Sequence, residues 1–277
     1  MSIALVSCFK NEGHIIEEWI EHYIAEGVDC FLLTDNGSTD NYLPKIQRYI
    51  DQKIVVLRVD PAKHKQREHL NAFLDKAKTF EWVIGVDLDE FIYARKGFHT
   101  IKEYLHTVDK NISQVYIPWK IFGSNGFIEQ PQTVVTAFVK RTNYDKANGM
   151  QAIIFDNNNK FSLVKCIVRT RYLVQINVHS HKTNHINYIT SDNINTNIHS
   201  NGIFSRINEQ VLEESYLHLN HYAIQSWNFF SSVKMTRGDI ATSSSENVRT
   251  ADYFKAFDIN DIDDNELAQK YTKRGGC

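Results

Sequence analysis

Four short apolar runs, Ile3 to Phe9, Cys30 to Thr34, Ile54 to Val59 and Trp82 to Val86, are separated by segments whose apolar residues recur at helical spacing. This alternation over the first ~120 residues constrains the fold most, because it predicts βαβ units and a mainly parallel sheet flanked by helices, an α/β protein. Ile15, Ile16, Trp19, Ile20, Tyr23 and Ile24 mark a first helix that Gly27 closes. Tyr42 to Ile50 reads as a second helix, and Leu70, Phe73, Leu74 and Ala77 mark the inner face of a third. Asp60-Pro61 breaks off the third strand.

Open α/β sheets bind ligands outside the carboxyl ends of their strands. Three such ends carry polar clusters: "KNEGH" at Lys10 to His14, "TDNGSTDN" at Thr34 to Asn41, and "DLDE" at Asp87 to Glu90. One crevice lined by all three is the economical arrangement. If the segment after Val86 stays extended, Asp87 and Asp89 point the same way and Leu88 turns to the core. Like charges so close repel unless donors, protonation or a cation compensate. Oxygen ligands of this kind suit Mg²⁺ or Mn²⁺, which commonly take only one or two protein carboxylates beside diphosphate oxygens and water. A solvated acidic loop is the plainer alternative.

Asp35 stands just before the Asn-Gly turn, where a carboxylate can accept hydrogen bonds from the N–H groups of a base. "KHKQR", Lys63 to Arg67, places basic residues at a helix start, where the macrodipole disfavours them. That conflict fits a site receiving an anion.

The second half changes character. Gln114 to Trp119, Val134 to Val139, Lys165 to Val168 and Tyr172 to Val178 read as strands, separated by turns such as "GSNG" and "DNNN". Ala223 to Met235 reads as a helix presenting Trp227, Phe230 and Val233. After Thr242 the chain is polar and acidic, a linker with one or two short helices and no assigned chemistry. The expected layout is a main domain over 1–241, with a nucleotide-binding half (1–120) and an acceptor-side, metal-completing half (121–241), followed by a tail over 242–277.

A formal charge of -2 supplies no global positive field for DNA, RNA or anionic lipid. Among 277 residues, Cys8, Cys30, Cys166 and Cys277 fit no zinc spacing, and the first three sit among apolar neighbours as reduced core thiols do. "MSIALVSCFKNE" has no basic leader, and its apolar run is too short for a signal peptide or a membrane span. A cytoplasmic protein is expected, with peripheral membrane association compatible.

In order, "KNEGHIIEEWIEHYIAEGVDCFLLTDNGSTDN", "WVIGVDLDEF", "FGSNG", "KCIV" and "NHYAIQSWNFFSSVKMTRG" resemble the nucleotide-sugar glycosyltransferases of GT-A (Rossmann-like) fold, more closely glycosyltransferase family 92 and related family-2-like enzymes. The resemblance runs from Ile3 to Gly238. It implies a mainly parallel sheet with a smaller mixed acceptor-side region and C-terminal helices. It further implies sugar transfer, inverting, from a nucleotide-sugar donor, UDP favoured, to a glycan or glycolipid hydroxyl; the expected lack of a leader or membrane span points to bacterial surface polysaccharide or lipooligosaccharide as the setting.

By the same resemblance, Asp89 ligates Mn²⁺ (or Mg²⁺), Asp87 serves metal or ribose, and His221 completes the shell. Asn11, Glu12 and Asp35 surround the nucleotide, and Gln66 and Arg67 lie near base or phosphate. Lys234 or Arg237 reaches the diphosphate. No segment matches the acidic base that such families carry after the D-x-D, so His181, Asp145 and Asp239 are the candidates for the base that activates the acceptor, with His179 beside His181 on the same strand face. A sugar nucleotidyltransferase is the competing enzyme, though "SCFKNEGH" makes a poor Gly-rich phosphate loop. A non-catalytic nucleotide-sugar or glycan-binding module is the competing non-enzyme.

Overall fold

The computed structural model describes residues 1–146, 164–193, 195–196, 208–237 and 249–273. Its first half comprises β1 (Ile3–Phe9), α1 (Ile16–Ala25), β2 (Cys30–Asp35), α2 (Leu43–Asp51), β3 (Val55–Val59), α3 (Gln66–Asn71), α4 (Leu74–Ala77) and β4 (Trp82–Gly85). β1 lies between β2 and β4, β3 lies outside β2, and all these pairs are parallel. Every residue of β1 is buried, as a strand covered on both faces requires. α1 buries Ile16, Trp19, Ile20 and Tyr23 in one core with Leu5, Phe31 and Ile84. Gly27 then turns the chain at φ +93°, where an added Cβ would stand 2.7 Å from Lys102 Cβ.

The second half adds β5 (Glu90–Ala94), α5 (Ile101–Thr107), β6 (Gln114–Ile121), β7 (Lys140–Arg141), β8 (Val164–Arg169), β9 (Leu173–Gln175), β10 (Lys182–Thr183), β11 (Tyr188–Thr190), β12 (Asn195–Thr196), α6 (Glu209–Glu214), β13 (Leu217–His221) and α7 (Trp227–Phe229). α7 runs into a π-helical turn, Phe230–Lys234. α8 (Ala251–Phe257), β14 (Ile262–Asp263) and α9 (Glu266–Lys273) follow. β8 runs antiparallel between β4 and β6, so the strand order is β12-β11-β6-β8-β4-β1-β2-β3. Off that path, β13 pairs with β6 in parallel and with β5 antiparallel. The expected GT-A-type α/β arrangement holds: a parallel half, then a mixed half. No helix among the described residues is long and apolar enough to cross a membrane.

Several expected elements differ. The third helix is two, because Phe73 leaves helical geometry between α3 and α4. Val134 to Val139 is not a strand: the Val134 and Val135 N–H groups donate to Glu18, and Phe138 N–H donates back to Val134 O. Tyr172 to Val178 keeps strand geometry only over β9. The helix expected from Ala223 starts at Trp227, where Ser226 Oγ accepts from Phe229 N–H and Gln225 just before holds φ 55°. β5 and β13 had no counterpart in the sequence reading.

The polar tail is built into the body. Leu267 of α9 joins the main core, Phe254 of α8 packs on Phe230, and β14 pairs with β7. Buried charges fasten it. Lys120 of β6, fully buried, donates to Asp264 at 2.9 Å and to Tyr93 Oη at 2.8 Å. Arg141 donates to the same Asp264 oxygen at 2.6 Å, and Glu266 accepts from Arg95 at 2.7 Å. Removing one partner of such a group strands the others without compensation. Asp264→Ala should therefore lose about 3 kcal/mol or more of stability, read from urea unfolding.

Candidate active site

A cleft of about 450 Å³ opens at the carboxyl ends of β1, β2 and β4, where open α/β sheets hold ligands. Phe9, Lys10 and Glu12 line it after β1, Asn36 after β2, Gln66 from α3, and Asp87 to Asp89 after β4. Trp119, His179, His221, Arg237, Arg249 and Tyr253 close it from the second half.

The tip of β4 is a turn rather than an extended segment. Glu90 N–H donates to Asp87 O at 3.1 Å, and the fully buried Glu90 carboxylate accepts Asp87 N–H at 2.8 Å. Leu88 goes to the core as expected. The two aspartates meet different partners. Asp87 accepts from Lys165 Nζ at 2.8 Å, with Gln66 Nε2 at 3.4 Å. Lys165 also stands 3.2 Å from Glu90. Burial opposes the lysine's charge, but Asp87 and Glu90 outweigh it and raise the ammonium above its ordinary range. Glu90 is raised by burial, against Lys165, so the deepest of the three carboxyls resists ionisation.

Asp89 accepts from Lys234 Nζ at 2.5 Å, and its other oxygen stands 3.6 Å from His221 Nε2. Burial would raise this carboxyl, yet Lys234 and His221 hold it well below the usual carboxylate range. His221, tilted against Trp119 at 4.2 Å between ring centroids, is lowered by burial, against the pull of Asp89. A carboxylate and a neutral imidazole are the forms that ligate a cation. Their spacing suits an ion bonded to each at ~2.1 Å. Among the described residues no three His, Cys, Asp or Glu side chains gather for a metal. The protein thus offers a two-residue set, Asp89 and His221, with Asp87 committed to Lys165.

The remaining expected residues fall into three groups. Glu12 lines the cleft and accepts from Arg237 at 2.5 Å, while Lys234 is wholly buried on Asp89 and Ala223 O. Asp35 and Asn11 lie behind the lining and shape the turn beside Asn36: Asp35 accepts from Ser38 N–H and Tyr42 Oη, and Asn11 Oδ1 accepts from Thr39 N–H. Arg67 is exposed and outside the lining, as is Asp145, whose Oδ1 accepts from Glu209 N–H at 3.2 Å. Asp239 lies outside the described residues.

His181 is a packing residue. Its ring lies against Gly85, where an added Cβ would meet Cε1 at 2.8 Å, and its Nδ1 accepts from Asn177 N–H at 3.1 Å. His179 is the imidazole that reaches the cleft. Its Nδ1 lies 3.2 Å from Val164 O, which can only accept, so the neutral ring carries its proton there and leaves Nε2 as the acceptor nitrogen.

Sequence reasoning missed Lys165 as a site residue, although a lysine inside an apolar strand is itself a signal, since lysine is seldom fully buried unpaired. It also missed Trp119, Arg249 and Tyr253; no local pattern marks the last two, which reach the cleft only because the C-terminal segment docks.

The family description Glycosyltransferase family 92 matches residues 5–269, and the chain belongs to that family. A glycosyltransferase family 92 protein of Ricinus communis is 22% identical over 233 residues, covering 82% of this chain and 36% of that protein. Another, of Oryza sativa subsp. japonica, is 24% identical over 139 residues, 49% of this chain and 24% of that protein. The chain thus spans well under half the length of either relative. Among solved structures, S. aureus TarS 1-349 in complex with UDP-GlcNAc is 18% identical, covers 62% of this chain and 46% of that one, and superposes with a TM-score of 0.40. Likeness at that level assigns no residue a role.

Burial is the main cause that pushes His179, His181 and His218 each down to about 4. The unfolded chain takes up these protons near pH ~6.5, so below that pH it binds more protons than the folded protein. The stability from neutral burial is complete above about pH 6.5 and is lost as pH falls through about 4. Urea midpoints should decline across this window, and His181→Asn should flatten part of the decline.

Proposed function

We propose that the chain transfers a sugar from a nucleoside diphosphate donor, UDP-sugar favoured, to a glycan or glycolipid hydroxyl, with inversion. The observation that carries this reading is the approach of Asp89 to within 3.6 Å of His221 Nε2 in a cleft at the carboxyl ends of β1, β2 and β4, in a chain of glycosyltransferase family 92. Asp89 and His221 would hold a divalent cation, Mn²⁺ or Mg²⁺. Bound there, it would supply charge neutralisation for the departing diphosphate. Lys234 holds Asp89 fixed in direction and Lys165 does the same for Asp87, leaving Gln66 and Asp87 to meet the nucleoside.

The acceptor hydroxyl needs a base within hydrogen-bond reach. His179 takes that role in preference to His181, because its free Nε2 belongs to a ring lining the cleft. Its low proton affinity reflects burial first and then Lys165, and a bound diphosphate would offset the lysine's field.

Incubation with Mn²⁺ and a panel of nucleotide sugars, read by mass spectrometry, tests the activity; no donor consumed with any acceptor, and no UDP bound, would sink it. His221→Ala, which strips no other hydrogen bond, should weaken Mn²⁺ binding at least about tenfold, followed by electron paramagnetic resonance. Unchanged Mn²⁺ affinity removes His221 from the set. Asp89→Asn should abolish Mn²⁺-dependent UDP binding, with Asp89→Asn/Lys234→Met as the control that leaves no buried ammonium unpaired. For His179→Gln, kcat for transfer should fall by about 100-fold or more while UDP affinity stays put; equal loss of both would point to a structural ring.

A further inference from the structure

Three cations at the cleft are neutralised within the protein: buried Lys165 by Asp87 and Glu90, buried Lys234 by Asp89, and part-exposed Arg237 by Glu12. Arg249 is different. It enters just ahead of α8, lines the cleft, and has a buried Nε with no hydrogen-bond partner. No carboxylate among the described residues forms an ion pair with it. Its guanidinium carbon lies 5.6 Å from the Tyr253 ring, which is itself stacked on Phe257 at 4.3 Å and faces Phe230 at 6.0 Å. Tyr253 therefore shelves the cation, while Asp89 and Asp87 act on it only through their field across the cleft. Lys10 and Lys63 also line the cleft, and Lys63 is exposed.

An arginine that lines a cleft with no carboxylate ion-paired to it among the described residues leaves N–H donors for a ligand. Its rigid fork of N–H donors matches the oxygens of a phosphate. The cations that sequence reasoning assigned to the diphosphate, Lys234 and Arg237, are engaged by Asp89 and Glu12. We propose that Arg249, shelved on Tyr253, is the cleft's receptor for the diphosphate of the donor, so that the C-terminal segment supplies part of the donor site. This rests on the nucleotide-sugar reading above for the identity of the anion, and on a guanidinium with no ion-pair partner among the described residues for the residue.

The test is calorimetric titration of the full chain with UDP, uridine and inorganic pyrophosphate, each in the presence of Mn²⁺, for wild type, Arg249→Met and Arg249→Lys. Arg249→Met should weaken UDP and pyrophosphate about 10- to 100-fold and leave uridine unchanged, with Arg249→Lys recovering part of the loss. Because no ion-pair partner among the described residues is stranded, the thermal midpoint of Arg249→Met should be unchanged or raised; a marked fall would mark a structural arginine and overturn the proposal. UDP affinity equal to wild type in Arg249→Met would overturn it as well, and so would a wild type that binds neither UDP nor pyrophosphate. Pyrophosphate binding that needs Arg249, without binding of any nucleoside diphosphate, would uphold the anion receptor while removing the donor reading.

Discussion

One buried ammonium organises the cleft. Lys165 is 1% exposed, and an ammonium so placed persists only if paired and hydrogen-bonded. Asp87 and Glu90 supply the pairing, and Glu90 in turn takes the Asp87 N–H, so the acidic tip of β4 has one well-defined arrangement. The lysine arrives there because the sheet changes direction. β8 runs antiparallel to β4 with Ile167 opposite Ile84, which sets the start of β8 level with the residues that follow β4. A wholly parallel sheet would have placed the start of that strand at the far edge, away from the carboxylates.

The second constraint is the buried ionic group beneath α9. Lys120, Arg141, Asp264, Glu266 and His218 come from β6, β7, the C-terminal segment and β13, and their mutual satisfaction fixes where that segment lies. Its position in turn decides whether Arg249 and Tyr253 stand at the cleft. Electrostatics deep in the molecule and chemistry at its surface are thus coupled through a single docked segment.

The parallel half was legible because its signals are local. β1 to β4 follow from apolar runs, and their polar ends converge as the rule for open α/β sheets requires. Asp89 and His221 were found separately, by spacing and by resemblance, and come within 3.6 Å. What escaped was non-local. Phe91 to Ala94 carry no element of their own in the sequence and become strand only because β13 pairs with them, and Val134 to Val139 has strand composition but gives its Val134 and Val135 N–H groups to Glu18 instead of a ladder. The extended reading of Asp87 to Asp89 failed because Glu90, buried by its own tertiary contacts, pulls the chain into a turn. The tail's role could not be read, since a polar, acidic sequence hides the few residues, Phe254 and Leu267, that dock it.

The ribbon of β5 and β13 joins both constraints. His221 lies opposite Glu90 at its upper end, and His218 lies opposite Tyr93 three residues below. Strand side chains alternate, so a slip of one residue in this pairing would rotate His221 out of the cleft and, in the same movement, pull His218 from Glu266. A single-residue deletion in either strand would therefore remove the proposed cation ligand and unlatch the C-terminal helix together, which makes this short ribbon the place where length, rather than side-chain identity, is least free to vary.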